Sequence, residues 1–209
     1  DLELAPSVEQ LQEVTIRAAD QDRTALNNEM AVLSARTFDS ELSQRFAGSR
    51  GDPARMATNF AGVSGANDGR NDIIIRGNSP AGLLWRLEGV DIPSPNHFSS
   101  FGSTGGPVSI LNNNVLAKSD FMTSAFPATY GNALSGAFDL FMRSGNDEQH
   151  EFLGQLGFNG FELGAEGPIS RRARASYLVN YRYSTLQAFQ AIGLDFGTGS
   201  AVPKYQYVS

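Results

Sequence analysis

Cysteine is absent from the 209 residues, histidine occurs twice and tryptophan once. Without cysteine there is no disulfide and no thiolate metal site, although that alone does not fix a compartment. Basic residues are scarce: 16 Lys and Arg stand against 22 Asp and Glu, a net charge of −6. This balance argues against nucleic acid as a partner and against a polybasic membrane-surface patch, because both need clustered cations. No uncharged apolar run reaches the roughly 18 residues of a membrane-spanning helix. Asp1 begins without a basic start and apolar core, so no signal peptide is read, and the chain is expected to be a mature product or an excised fragment. Nothing recurs at a fixed period of the solenoid kind.

Signatures of catalysis are missing too. There is no Gly-x-Ser-x-Gly elbow, Walker loop or His-Glu-x-x-His pair. The run Gly102-Ser103-Thr104-Gly105-Gly106 is rich enough in glycine to cradle a phosphate, but no Lys follows it and no strand–helix frame surrounds it. His97 and His150 lie in different regions, which argues against a histidine metal site. The oxygen-rich stretch from Asn67 to Asp72 lacks the spacing and closing Glu of a calcium loop and reads as a turn. No catalytic residue, cofactor or metal is therefore expected.

What the chain does have is 22 Gly, 14 Phe and 9 Pro, a usage that favours sheet and loop over helical bundle. Its charge is uneven: residues 1–148 carry a net −7 and residues 149–209 a net +1. The hydrophobic pattern changes at the same place, which sets a boundary near Gly145–Gln149. Residues 1–26 read as an extended linker, 27–148 as a mixed domain and 149–209 as a run of strands.

Within the mixed domain, Met30–Ala35 is expected to be a strand. Thr37 is a candidate cap for a helix over Phe38–Phe46, whose Phe38, Leu42 and Phe46 share a face. Asp52 and Pro53 open a second helix, with Pro at the first position where its missing N–H costs nothing, and Gly62 and Gly65 end it. Two apolar runs then end in arginine: Ile73-Ile74-Ile75 meets Arg76, and Leu83-Leu84-Trp85 meets Arg86. Strands are expected over Asp72–Arg76 and Leu83–Ile92, a short helix over Val108–Leu116, and further strands over Lys118–Phe126 and Ala137–Arg143. The fold class is α+β, with a mixed sheet of roughly four strands and short helices.

After Gly145 the period becomes two. Tyr177, Val179, Tyr181 and Tyr183 alternate with polar and basic residues, Leu178 excepted. Phe152, Leu156 and Phe158 share one face, and the phase flips at Gly160 to Phe161, Leu163 and Ala165, which predicts a hairpin or bulge there. An ordinary sandwich alternates as well. Strands of about 9–11 residues, apolar outward and polar inward with aromatics near the ends, are also the pattern of a transmembrane barrel.

In order, "NDIIIRG", "LLWRLEGVDIP" and "SILNNNVLAKSDFMTSAFPATYGNALSGAFDLFMRSG" resemble the plug domain of TonB-dependent outer-membrane receptors. Ile75-Arg76-Gly77, Leu87-Glu88-Gly89-Val90, Tyr130-Gly131-Asn132 and Phe138–Arg143 carry the match. "LQEVTIRA" (Leu11–Ala18) resembles the TonB box, and "DLELAPSV" the last strand of the small sandwich that precedes the plug in Bacteroidetes-type receptors. "FNGFELGAEGPISRRARASYLVNYRYST" resembles the first barrel strands. One departure stands out: where the family often has a second arginine before Tyr-Gly, this chain has Asp120 to Ala125. That puts the family's ionic lock between plug and barrel in doubt.

The resemblance implies an outer-membrane location, with the plug inside its own β-barrel and facing the periplasm. Its partner there would be the TonB C-terminal domain, met by Glu13, Val14, Thr15 and Ile16 as an added strand. Arg76 and Arg86 would contact the barrel wall. Loops 64–71, 78–82 and 94–100 would floor the site for a small-molecule, glycan or peptide substrate, through Asn67, Asp68, Asn78, Ser79, Asn96, His97 and Phe98. A barrel of about 22 strands needs well over 200 residues. The 61 residues after Glu148 are expected to be its truncated start. The alternative reading is a secreted β-rich adhesion or carbohydrate-binding module; a hydrolase is a distant third.

Overall fold

The structure, a computed structural model, describes residues 34–46, 48–49, 51–67, 69–99, 103–157, 160–170, 172, 175–185 and 204–209. It is mostly β-sheet with a few short helices. The linker and candidate TonB box, together with most of the expected Met30–Ala35 strand, lie outside the described residues.

The first strand, β1 (Ala35–Phe38), occupies the place expected to begin a helix. Thr37 is not the cap: it lies in β1, and its hydroxyl donates to Asp120 Oδ1 at 2.8 Å. Asp39, held extended, accepts from Leu42 N at 2.7 Å and starts α1 (Ser40–Arg45) instead. A carboxylate at this position also meets the positive end of the helix dipole, which a hydroxyl does not. Asp52 and Pro53 do open α2 (Pro53–Ala57). That helix stops at Thr58, before the glycines, where the hydroxyl bonds back to Arg55 O at 2.6 Å.

The isoleucines of β3 (Ile73–Ile75) pair only with β2 (Val63–Gly65) and do not join the main sheet. The expected strand Leu83–Ile92 is two strands, β4 (Leu83–Leu87) and β5 (Val90–Ile92). Glu88 and Gly89 between them both take positive φ, 50° and 78°, the two-residue turn whose twist suits a hairpin. The helix expected over Val108–Leu116 is absent. β7 (Val108–Ser109) pairs with β6 (Asn96–His97), and a single 3-10 turn follows over Asn113–Val115. Asn112 caps that turn by accepting from Asn114 N at 2.9 Å, and the amides of all three asparagines are drawn into tertiary contacts.

With β8 (Ser119–Met122) and β9 (Gly136–Leu140), the main sheet has five strands in the order β1-β8-β9-β4-β5, one more than expected. It is mixed: β4 and β9 run parallel and the other pairs antiparallel. The cross-strand row Phe121, Phe138, Trp85 fills one face, with ring centroids 4.4 and 4.1 Å apart. α2 and β3 close over that face with Ala54, Met56, Ala57, Ile73 and Ile75. Burying each large apolar side chain is worth about 1.5–3 kcal/mol, so this layer is the main source of the fold's stability. The opposite face carries a polar row, one residue from each strand: Thr37, Asp120, Asp139, Arg86 and Asp91.

Beyond the boundary, β10 (Glu151–Gly157), β11 (Gly160–Ser170), β12 (Ala175–Tyr183) and β13 (Gln206–Val208) form a second, antiparallel sheet in that order. The phase change at Gly160 is the hairpin expected there, with Gly157 opposite Gly160. Gly145 passes close against β12: a Cβ on it would fall 2.1 Å from Tyr177 O, so no larger residue fits without a shift.

Candidate functional site at the seam between the two sheets

Register fixes what each face of the second sheet shows. Gln155, Glu162 and Arg182 are cross-strand neighbours, as are Leu153, Gly164 and Asn180, and these rows turn toward the mixed-sheet unit. The other face presents Phe152, Leu156, Leu163 and Val179 to solvent, at 82%, 87%, 54% and 46% exposure.

Glu162 is the hub of the seam. It is buried, and its Oε1 accepts from Asn112 Nδ2 and Asn180 Nδ2, both at 2.8 Å, and from Asn114 Nδ2. Its Oε2 accepts from Arg182 Nε and Nη2 at 3.0 and 2.9 Å. Four side chains thus supply the hydrogen bonds a buried carboxylate needs to stay charged. Asn113, between the two donors, turns the other way and donates to Ser43 Oγ of α1 at 2.7 Å. The Asn112–Asn114 triplet therefore ties the first helix to the second sheet.

Four residues along β11, Glu166 makes the second tie. Arg143 Nη1 and Nη2 donate to its two oxygens at 2.6 and 2.7 Å, a two-pronged pairing that a guanidinium makes and an ammonium does not. Arg143 Nε donates to Asn114 O at 2.6 Å, and that pins the two ties to each other. The charge of Glu166 holds the Arg143 guanidinium above its usual range, so it stays protonated.

Arg76 and Arg86, the expected wall contacts, take neither carboxylate. Arg76 and Gly77 are the two left-handed residues of a tight turn closed by Asn78 N to Ile75 O at 2.9 Å, and the Arg76 side chain is exposed. Arg86 is held within its own unit. Its Nε donates to Asp91 Oδ1 at 2.8 Å, an Nη donates to Thr129 O at 3.1 Å, and the guanidinium lies 4.6 Å from the Tyr130 ring centre. Arg143 does the bridging instead, while Arg182 pairs with Glu162 inside the second sheet. The signal that could have found the seam was Glu162 and Glu166, two carboxylates on the polar face of an otherwise amphipathic strand.

The three expected ligand loops are brought together, though by a segment sequence reasoning set aside. Thr104 Oγ1 donates to Pro80 O at 3.0 Å, Asn96 Nδ2 to Thr104 O at 2.7 Å, and Arg70 Nη2 to Gly105 O at 2.9 Å. The 103–106 stretch is thus a clasp across all three loops. Ser103 also donates to Asp72; burial would raise that carboxyl, but Ser103 and Arg70 outweigh it and hold it below the usual range.

Of the seven expected ligand residues, Asn67, Asn78, Ser79 and Phe98 are exposed, and Asp68 lies outside the described residues. Asn96 is buried and bonded to Asn71 as well as Thr104, which makes it part of the framework. Asn71 in turn donates to Asp52 at 2.6 Å, while burial pushes the Asp52 carboxyl up. His97 faces the second sheet, its ring 5.6 Å from Tyr205 and 5.4 Å from Tyr207. Between the units lies a crevice of about 850 Å3 bordered by Asp52, Arg55, Asn112, Glu162, Arg182 and Tyr205. Each of its charged groups has an opposite charge beside it, Arg55 near Asp52 and Arg182 on Glu162.

No model of a known protein family matches the chain. No curated protein matches its sequence.

Proposed function

We propose that the chain is the plug of a TonB-dependent outer-membrane transporter, with a TonB-box linker before it and the first barrel strands after it. One observation carries this reading: the second sheet is inverted. Its polar face holds the mixed-sheet unit through Glu162 and Glu166, and its apolar face is bare. A sheet that separates lipid from a polar lumen needs this arrangement. A secreted sandwich module would place Phe152, Leu156 and Leu163 between sheets, away from water.

In this reading the mixed-sheet unit occludes the barrel and the clasped loops help bind the substrate. The seam is the joint that must give way for passage. Energy would come from a periplasmic partner pulling on the linker, with no bond made or broken on the plug. Arg143 takes the wall-contact role that the family resemblance suggested for Arg76 and Arg86.

The test is capture of the full chain by a TonB C-terminal domain. The wild type is expected to bind, and Val14→Pro, which removes an N–H from the added strand, to lose binding. Capture that Val14→Pro leaves unchanged rejects the segment from Glu13 to Ile16, and no capture of the wild type rejects the transporter reading.

A further inference from the structure

His97 sits at the contact between the clasped loops and the second sheet. It lies in β6 on the loop side, and its ring is near parallel to that of Tyr205 at 22°. Among the described residues its buried Nε2 has no hydrogen-bond partner, and neither has the buried hydroxyl of Tyr207. Arg182 lies over the other end of this aromatic group, 5.4 Å from the Tyr207 ring centre. The contact is therefore built for a neutral imidazole. As a neutral ring protonated at Nδ1 it stacks on Tyr205, lies tilted against Tyr207 and leaves one acceptor, Nε2, unmet. As a cation it has a charged N–H with no acceptor and a guanidinium nearby.

We propose that His97 is a proton-sensitive latch: neutral, it docks loop 94–99 on the second sheet, and protonation releases it. The charged and titratable groups around it are Arg182, whose charge acts on the imidazole, and Tyr205 and Tyr207, whose rings lie against it, while Glu162 and Asp52 act on Tyr207. Glu162 does not offset the new charge, because its own charge is paired with Arg182. The faces of the tyrosines attract a cation, but they compete with water that the docked ring has given up.

Burial, and then the Arg182 charge, hold the imidazole below its ordinary value of 6.5. The sign follows from linkage. The undocked loop binds the proton more readily, so docking is intact at neutral pH. It weakens as pH falls below the free-histidine value and continues to weaken down to the docked value. Within that window the docking equilibrium shifts by up to about tenfold per pH unit, the limit for one proton.

This inference rests on the plug reading for its consequence, a substrate floor that loosens in acid; the latch itself does not depend on it. The test is amide hydrogen-exchange protection in the full chain at pH 7.5 and 5.0, with β8 and β9 as the internal reference. Protection of residues 94–99 and 204–209 is expected to fall in acid by tenfold or more while the reference holds. His97→Phe keeps a stacking ring without a proton and is expected to keep protection at both pH values. His97→Gln is expected to lose the acid response as well, so the test survives a failure of either variant to fold. An acid response that persists in a folded variant overturns the latch, and so does wild-type protection that is equal at both pH values. Failure of TonB capture would leave these protection ratios unmoved, so the two ideas fail separately.

Discussion

In the five-stranded sheet the cross-strand row Phe121, Phe138, Trp85 is sealed under two helices and a hairpin, each ring at most 2% exposed. In the β10–β12 sheet the equivalent apolar set, Phe152, Leu156, Leu163 and Val179, is bare, while Glu162 and Asn180 are the buried side chains. In both regions the strands carry one apolar row and one polar row, Phe121, Phe138 and Trp85 against Asp120, Asp139 and Arg86 in the first, Leu163 and Val179 against Glu162 and Asn180 in the second. The pattern says that a strand has two unlike faces; it does not say which face meets the core. That choice is made by what the neighbouring unit offers. The mixed-sheet unit turns Asn112, Asn114 and Arg143 toward β11, and these suit carboxylates rather than phenyl rings.

The sharpest way to break this comparison is to delete one aromatic from each region. Phe138→Ala leaves a cavity between Trp85 and Phe121 and is expected to cost about 3–5 kcal/mol. Phe152→Ala is expected to change stability in aqueous buffer by no more than about 0.5 kcal/mol. Denaturant unfolding followed by the fluorescence of Trp85 measures both, and equal losses would mean that Phe152 is covered in solution.

A smaller effect is expected at the hub. Glu162→Ala leaves Arg182, the buried amides of Asn112 and Asn180 and the half-buried amide of Asn114 without their shared acceptor, a loss of about 3 kcal/mol falling on the seam. Limited proteolysis is expected to cut between the two sheets much faster in this variant, while Trp85 reports an unchanged mixed-sheet unit. Cooperative loss of both signals would show that the second sheet is part of one folding unit and not a docked layer.

The smallest effect concerns the polar row of the main sheet. Burial raises the Asp139 carboxyl, against the Tyr130 hydrogen bond at 2.5 Å and the Arg86 charge, with Asp120 and Asp91 adding to the rise. A carboxyl raised in the folded state contributes most at low pH, and its contribution is lost as pH rises through the folded value. Asp139→Asn keeps an acceptor for Tyr130 and removes that charge. It is expected to stabilise the protein at pH 7.5, by less than about 1 kcal/mol, and the gain is expected to shrink as pH falls toward 4. Urea titrations of both proteins across that range decide it, and a gain that grows in acid would reverse the assignment.

Much of this was legible in local chemistry. Asp52-Pro53 is a helix start wherever it occurs in a suitable frame, and α2 begins there. Gly160 marked the hairpin because the apolar phase on either side of it cannot belong to one strand. The misses share a cause. Thr37 and Asp39 are both competent caps, and Thr37 is drawn off by Asp120, 83 residues away. The Asn112–Asn114 triplet has no strong propensity of its own, and its conformation follows from partners on α1, β11 and β12. Gly102 to Gly106 was weighed only as a phosphate cradle, whereas the clasp role of Ser103 to Gly106 depends on Pro80 and Arg70, 24 and 35 residues distant from their partners.

Sequence alone determined where β3, β4, β8 and β9 run, the two-faced character of β10 to β12, and the change of pattern at the boundary. These follow from alternation and turn chemistry, which act over a few residues. Tertiary structure decided which face is buried, which arginine bridges the units, and where His97 points. Those outcomes depend on pairing between residues 20 to 110 positions apart, and a carboxylate cannot choose among arginines until the fold has brought one of them within reach.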